Sequence, residues 1–133
     1  THRYSSAASD VYKRQAGGLV RLPRQIPSRV AMEMALTGDF MDADRAMSLG
    51  LINQIAPAGE ALAQAKALAA KIAENGPLAV KRSKQVIKES IDWSQDDMFD
   101  KQQAIVNPVF SSEDAIEGAT AFAEKRKPNW KGR

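Results

Sequence analysis

From Ser28 onward the apolar residues recur every three or four positions, the spacing of helices with one buried face. Val30, Ala31, Met34 and Ala35 form the first such stripe and predict a helix over Ser28–Thr37, stopped at Gly38. Asp42 stands where a short acidic side chain can accept an N–H of a first helical turn, so a second, short helix is expected from there to Gly50. The run Leu51-Ile52-Asn53-Gln54-Ile55 has the character of a strand, closed by Pro57, because proline cannot continue a ladder.

The second half is more regular. Leu62, Ala65, Leu68, Ala69 and Ile72 share one face of an alanine-rich helix between Gly59 and Asn75. Gly76 ends it, and Pro77 opens the next, since the missing N–H of proline costs nothing in a first turn. That helix is expected to reach about Ile91 with Ala79, Ser83, Val86, Ile87 and Ile91 inward. Ser94 three residues before Asp97 makes a capping pattern for a helix to Asn107, ended by Pro108. Ser111 before Asp114 opens a last helix over 112–127, with Ala115, Ala119 and Phe122 at helical spacing and Pro128 as its stop. The pattern as a whole is that of a mostly α chain. Residues 1–15 carry no period and read as an unrelated or disordered leader, after which Ala16-Gly17-Gly18, Pro23 and Pro27 punctuate the chain.

Composition narrows the chemistry rather than the fold. The 133 residues make about one domain, at ~100–200 residues each. There is no cysteine, and His2 is the only histidine. This excludes Ser-His-Asp and Cys-His nucleophile systems and zinc held by histidine and cysteine. The lack of cysteine fits a reducing interior, and a cytoplasmic setting is expected. The longest uncharged run, Ala46 to Gly59, contains Asn53, Gln54 and Pro57. It is shorter than the ~18 residues of a span, so no membrane partner is expected. The net charge of +3 is uneven: Arg3, Lys13 and Arg14 against Asp10 give +2 over 1–15, and Lys125, Arg126, Lys127, Lys131 and Arg133 against Glu124 give +4 over 124–133. A basic end with Trp130 as its only aromatic is not the basic face of a nucleic-acid binder. It reads as a solvated end or as a site for a small anion such as a nucleotide phosphate.

Three groups of residues carry a resemblance. They are Ala16-Gly17-Gly18 with Arg21-Leu22-Pro23; Leu36-Thr37-Gly38-Asp39 with Asp42-Ala43 and Gly50-Leu51-Ile52; and Ser112-Glu113-Asp114, Glu117-Gly118, Ala121-Phe122, Glu124-Lys125-Arg126, Pro128 and Trp130. In this order and spacing they resemble the crotonase superfamily, also called the enoyl-CoA hydratase/isomerase family, over residues 16–133. The resemblance implies an α/β crotonase (ClpP/crotonase-like) fold whose helical C-terminal part is this chain, with the N-terminal core of ββα units missing. Residues 16–58 would then end that core, and 59–133 would form the helical trimerisation region of a homo-oligomer, trimer or hexamer. The implied substrate is an acyl-CoA thioester, with no cofactor beyond it. Members of the family stabilise the thioester enolate with two backbone N–H groups, charge stabilisation aimed at the transition state. Hydratases add two glutamates that move the protons of water.

The same resemblance assigns the candidate residues. Both glutamates and both oxyanion donors lie upstream of Gly17 and Gly18 in the family pattern. The position of one glutamate falls near Ala7, and the first glutamate of the chain is Glu33. No catalytic residue is therefore assigned, and the chain alone is expected to be inactive. Gly17 and Gly18 would line the acyl pocket, or serve as a plain hinge. Phe122 and Lys125 would reach the CoA nucleotide; the alternatives are core packing for Phe122 and a solvated charge for Lys125. Glu113, Asp114 and Glu117 read as first-turn acids suited to a helix N-terminus. Pro108-Val109-Phe110 lacks the hydroxyl of the functional tyrosine that naphthoate synthases of the superfamily carry nearby. Two functions remain open: a truncated enoyl-CoA hydratase/isomerase family protein of acyl-CoA metabolism, or a non-catalytic helical oligomerisation module derived from that family.

Overall fold

Helices account for all the regular structure described in the computed structural model, which covers residues 15–133. They fall into two units, the first ending at Ala61 and the second running Leu62–Arg133. The leader expected over 1–15 lies, apart from Gln15, outside the described residues. In the first unit α1 (Gly18–Arg21) passes into a 3-10 turn (Leu22–Arg24), followed by α2 (Ser28–Thr37) and α3 (Ala43–Ser48). The corner of α1 and the 3-10 turn packs on α2, burying Ile26 and Ala31, while Val30, Met34 and Ala35 are half-buried along the expected stripe. Asp42 caps α3 as expected: its Oδ1 accepts the Arg45 N–H at 2.7 Å. The other end of α3 closes with Gly50 at φ 75°. There the Gly50 N–H donates to the Met47 carbonyl at 3.0 Å and the Leu51 N–H to the Ala46 carbonyl at 2.9 Å. This pair of bonds satisfies two carbonyls that the helix end leaves open.

The stretch Leu51–Ile55 is not a strand. A strand needs a neighbour to take its N–H and C=O groups, and the described residues contain no second strand.

The second unit holds α4 (beginning at the boundary, Ala61–Ala73), α5 (Pro77–Glu89, prolonged by a 3-10 turn Ser90–Asp92), α6 (Met98–Phe110) and α7 (Glu113–Ala123). α5 packs along α6, and α6 touches α7. The inward face of α5 is set by Leu78, Ala79, Arg82, Gln85 and Val86, all half-buried; Ser83, Ile87 and Ile91, expected inside, are exposed. The apolar stripe of α4 is exposed too, because no other helix of the unit packs along it. α6 begins at Met98 after Asp97, with the Ser94 hydroxyl donating to Asp97 Oδ1 at 2.6 Å. It runs through Pro108 to Phe110: the fixed φ of proline is compatible with a helix, at the cost of one N–H bond and of crowding against the carbonyl of residue 104. α7 is capped by Ser112 rather than Ser111: Ser112 Oγ accepts the Ala115 N–H at 3.1 Å.

A returning tail decides which face of α7 is buried. After Ala123 the chain reverses and residues 127–133 run back along the helix. The Asn129 N–H reaches Glu117 Oε1 at 2.6 Å, the Lys131 and Gly132 N–H groups reach Asp114 at 2.7 and 2.9 Å, and the Asp114 N–H donates to the Arg133 carbonyl at 3.1 Å. Trp130 lies against Gly76 and Gly118, and its indole N–H donates to the Glu74 carbonyl at 2.8 Å. The covered face of α7 is therefore Asp114, Glu117, Gly118 and Ala121, and the helix ends at Ala123 instead of 127. Among the described residues the buried apolar side chains are Ile26, Ala31, Ala46 and Ala121, whereas Leu36, Leu62, Ile87, Phe99, Phe110 and other large apolar groups stand exposed. No helix of the described residues is long and apolar enough to cross a membrane.

Candidate functional site

The four candidate residues form two pairs, one in each unit. Gly17 precedes α1 at φ 95°, a conformation that side chains other than glycine rarely adopt. A Cβ there would stand 2.7 Å from the Arg21 guanidinium, which folds back to donate to the Ala16 carbonyl at 3.2 Å. Two requirements thus meet at Gly17, left-handed backbone and close approach of Arg21. Gly18 opens α1 and lines a cavity of about 360 Å³ with Leu19, Leu22, Ala31, Met32 and Leu36. The walls are almost wholly aliphatic, and the chemistry they offer is to hold an apolar group. Glu33, the first glutamate of the chain, is exposed in an ion pair with Arg45 at 3.5 Å.

Phe122 and Lys125 sit at the far end of α7. Phe122 is 87% exposed; the tail covers the neighbouring face of the helix, on Asp114, Gly118 and Ala121. Lys125 follows the helix at φ 54°, the one non-glycine residue with positive φ among those described. Its N–H donates to the Phe122 carbonyl at 3.2 Å and the next N–H, of Arg126, to the Ala121 carbonyl at 3.0 Å. This is the bonding that closes α3 at Gly50, made here with a lysine in the left-handed position.

The charges around this turn are largely consumed internally. Arg126 forks onto Glu117, Nη1 to Oε1 at 2.6 Å and Nη2 to Oε2 at 3.0 Å, and its Nε reaches Glu124 at 2.6 Å. That fork, with the Asn129 N–H, lowers the Glu117 carboxyl from 4.5 to about 2, and the two carboxylates raise the Arg126 guanidinium. Lys131 and Arg133 both lie 3.2 Å from Glu113, and the Lys131 ammonium beside it, with Arg133, holds the Glu113 carboxyl below its usual range. Of the five basic side chains in this end, Lys125 and Lys127 alone have no acidic partner. The arrangement leaves an exposed aromatic ring and two uncommitted ammonium groups at one helix end, suited to an anion carried on a flat or apolar body. No group of three or more His, Cys, Asp or Glu side chains able to hold a metal occurs among the described residues.

The sequence pattern placed Glu113, Asp114 and Glu117 in the first turns of α7 but missed that Asp114 and Glu117 bind the tail. A signal was available in Gly76 and Gly118, small residues that make room for the one aromatic of the tail.

An enoyl-CoA hydratase/isomerase family profile matches residues 12–133. The chain belongs to the enoyl-CoA hydratase/isomerase family. Among curated proteins it is 38% identical over 122 residues to a carnitinyl-CoA dehydratase of Proteus mirabilis, a match covering 89% of this chain and 47% of that protein. It is 44% identical over 117 residues to an enoyl-CoA hydratase of Mycobacterium tuberculosis, covering 88% of this chain and 44% of that one. The chain thus spans about half the length of the curated relatives it matches. Among solved structures, an enoyl-CoA hydratase from Mycobacterium tuberculosis superposes with a TM-score of 0.86 at 57% identity, over 88% of this chain and 46% of that one. A probable enoyl-CoA hydratase/isomerase from Mycobacterium abscessus gives 0.87 at 51% identity, over 94% and 51%. The helices described above are thus those of a crotonase-fold family member.

Proposed function

We propose that this family member serves an enzyme acting on acyl-CoA thioesters, in the hydration of 2-enoyl-CoA. Gly17 and Gly18 belong to the acyl pocket, and Phe122 and Lys125 meet the CoA nucleotide. The observation that carries this reading is the end of α7, where Phe122 is 87% exposed beside a lysine with no acidic partner. The aliphatic cavity at Gly18 suits an acyl chain. The curated relatives are a hydratase and a dehydratase of CoA thioesters, which supports water addition or removal as the chemistry. The chain itself brings no glutamate before Glu33, and we expect no hydration of a short 2-enoyl-CoA by the chain alone in a spectrophotometric assay.

The test of the nucleotide contact is Lys125→Ala in an enzyme carrying this C-terminal sequence. The nucleotide end of CoA is remote from the reacting thioester carbons, so a contact there should contribute uniform binding. KM for acyl-CoA should rise with kcat nearly unchanged. For an exposed ion contact the cost is about 0.2–1 kcal/mol, and it should shrink at high salt. An acyl-pantetheine, which lacks the nucleotide, should feel no change. Equal weakening of both substrates would show Lys125 to be a structural charge.

A second reading, a non-catalytic helical oligomerisation module, draws on the exposed apolar faces of α4 and α5. Such faces associate, and assembly as a homo-oligomer, trimer or hexamer, is expected under either reading. An oligomer in sedimentation that gives no response to CoA would select the module.

A further inference from the structure

We propose that Glu117 is a positioning residue for Lys125, its carboxylate clamping the turn after α7 so that a lysine is held where glycine would ordinarily sit. The functional side of this inference rests on the reading of Lys125 as a contact of the CoA nucleotide.

Among the described residues, two helix ends close with the same pair of backbone bonds. At α3 the left-handed position is Gly50, φ 75°; at α7 it is Lys125, φ 54°. An L-residue with a side chain adopts this conformation at a cost that glycine does not bear. Something beyond the two backbone bonds therefore has to hold the second turn.

The holding groups converge on Glu117. Its carboxylate takes both Nη atoms of Arg126, the residue after Lys125, and the N–H of Asn129. The same guanidinium reaches Glu124, the residue before Lys125, through Nε, and the Lys127 carbonyl at 3.2 Å through Nη1. One carboxylate and one guanidinium thus tie residues 124, 126, 127 and 129. The side chain of Lys125 is left without a partner at the centre of the clamp, and its N–H is bonded to the carbonyl of Phe122. A binding group whose backbone is already fixed loses less freedom when its ligand arrives. The acids and bases around Lys125 neutralise one another and leave its ammonium to an external anion.

Amide hydrogen exchange of the full chain, read by NMR, tests the clamp directly. Glu117→Gln keeps one acceptor oxygen but breaks the charged fork. Exchange at positions 125 and 126 should quicken on the order of tenfold, with the amides of α5 and α6 unchanged. Arg126→Gln breaks the fork from the other side and should do the same, so a folding defect in either variant leaves the other to decide. Made in a Lys125→Gly background, Glu117→Gln should quicken exchange much less, because glycine needs no clamp. Unchanged exchange at 125 and 126 in both variants overturns the proposal. So does an equal acceleration with and without Lys125→Gly, for the clamp would then serve the tail and not the lysine. Titration with adenosine 3′,5′-bisphosphate separates the second question. Lys125→Ala and Glu117→Gln should both weaken the chain's affinity for it. If exchange behaves as expected but Lys125→Ala leaves that affinity unaltered, the nucleotide reading fails while the clamp stands.

Discussion

Replacing Asp114 by asparagine should loosen the end of the chain without unfolding the helices. Asp114 is 5% exposed, and its two oxygens each take one tail N–H, from Lys131 at 2.7 Å and Gly132 at 2.9 Å. Asparagine offers one acceptor oxygen and turns an NH₂ toward the other N–H, so one bond is lost and two donors face each other. A hydrogen bond to a charged group contributes about 1.5–3 kcal/mol, and a buried group left unsatisfied costs about 1–3 kcal/mol. Lys131 and Gly132 are exposed residues, so water recovers part of this once the tail lifts. The net loss should be about 2–4 kcal/mol in the local closing of residues 131–133, a roughly 30- to 900-fold faster amide exchange at Lys131 and Gly132. Trypsin cleavage after Lys131 should accelerate in parallel. The lost first-turn charge also weakens α7, but by only about 0.3–1 kcal/mol, and that effect would appear in the helix N–H groups rather than in the tail. A change under threefold at Lys131 and Gly132 would refute the assignment of Asp114 as the anchor of the tail.

Gly118→Ala should be destabilising even though alanine is the better helix former. The added Cβ would lie 3.1 and 3.3 Å from the Trp130 ring, which its indole bond to Glu74 holds in place. Overpacking of about 1–3 kcal/mol outweighs a propensity gain of up to ~1 kcal/mol, so the urea midpoint should fall and tryptophan emission should shift to the red. Acid should release the turn after α7 between about pH 4.5 and 2. The folded pKa of Glu117 is lowered from 4.5 to about 2, so its contribution is present above 4.5 and is lost as pH falls through that window. Glu113 and Asp97 are shifted in the same direction. Glu117→Gln should therefore flatten only part of the acid transition followed by Trp130 fluorescence in a Trp93→Phe background, and an unchanged transition would count against the fork.

The sequence shows its helices more readily than their surroundings. α2 and α3 were legible because each carries its own stop and cap, Gly38, Asp42 and Gly50, which act through bonds within a few residues. The stripes of α4 and α5 were legible as stripes, but periodicity does not say what covers them, and Leu62, Ile87 and Ile91 are exposed. The buried face of α7 is hidden from periodicity for a related reason. Ala115, Ala119 and Phe122 form the more apolar stripe, yet the tail lies on Asp114, Gly118 and Ala121, drawn there by two carboxylates and an indole. That reversal depends on a lysine turning left-handed, against its preference, and no local rule predicts it. Phe122 and Lys125 entered as candidates through family resemblance; spacing alone would have placed the ring in a core.

The bond from Trp130 to Glu74 spans 56 positions of the chain. Made N-terminus first at about 5–20 residues per second, the polypeptide carries the end of α4 for roughly 3–11 seconds before the indole that will close on it exists. Helices form in about a microsecond, so α4 to α7 can appear in turn long before the ring arrives. From the synthesis of Gly118 until Trp130 follows it, Gly76 and Gly118 frame an open slot between apolar helices, a surface that another nascent chain could enter. Closing a loop of this length is entropically expensive, and the contacts that reward it come together only with residues 126–132. The order of synthesis thus makes docking of the tail a late commitment step, and variants that slow it should raise aggregation during expression before they lower the melting temperature of the finished protein.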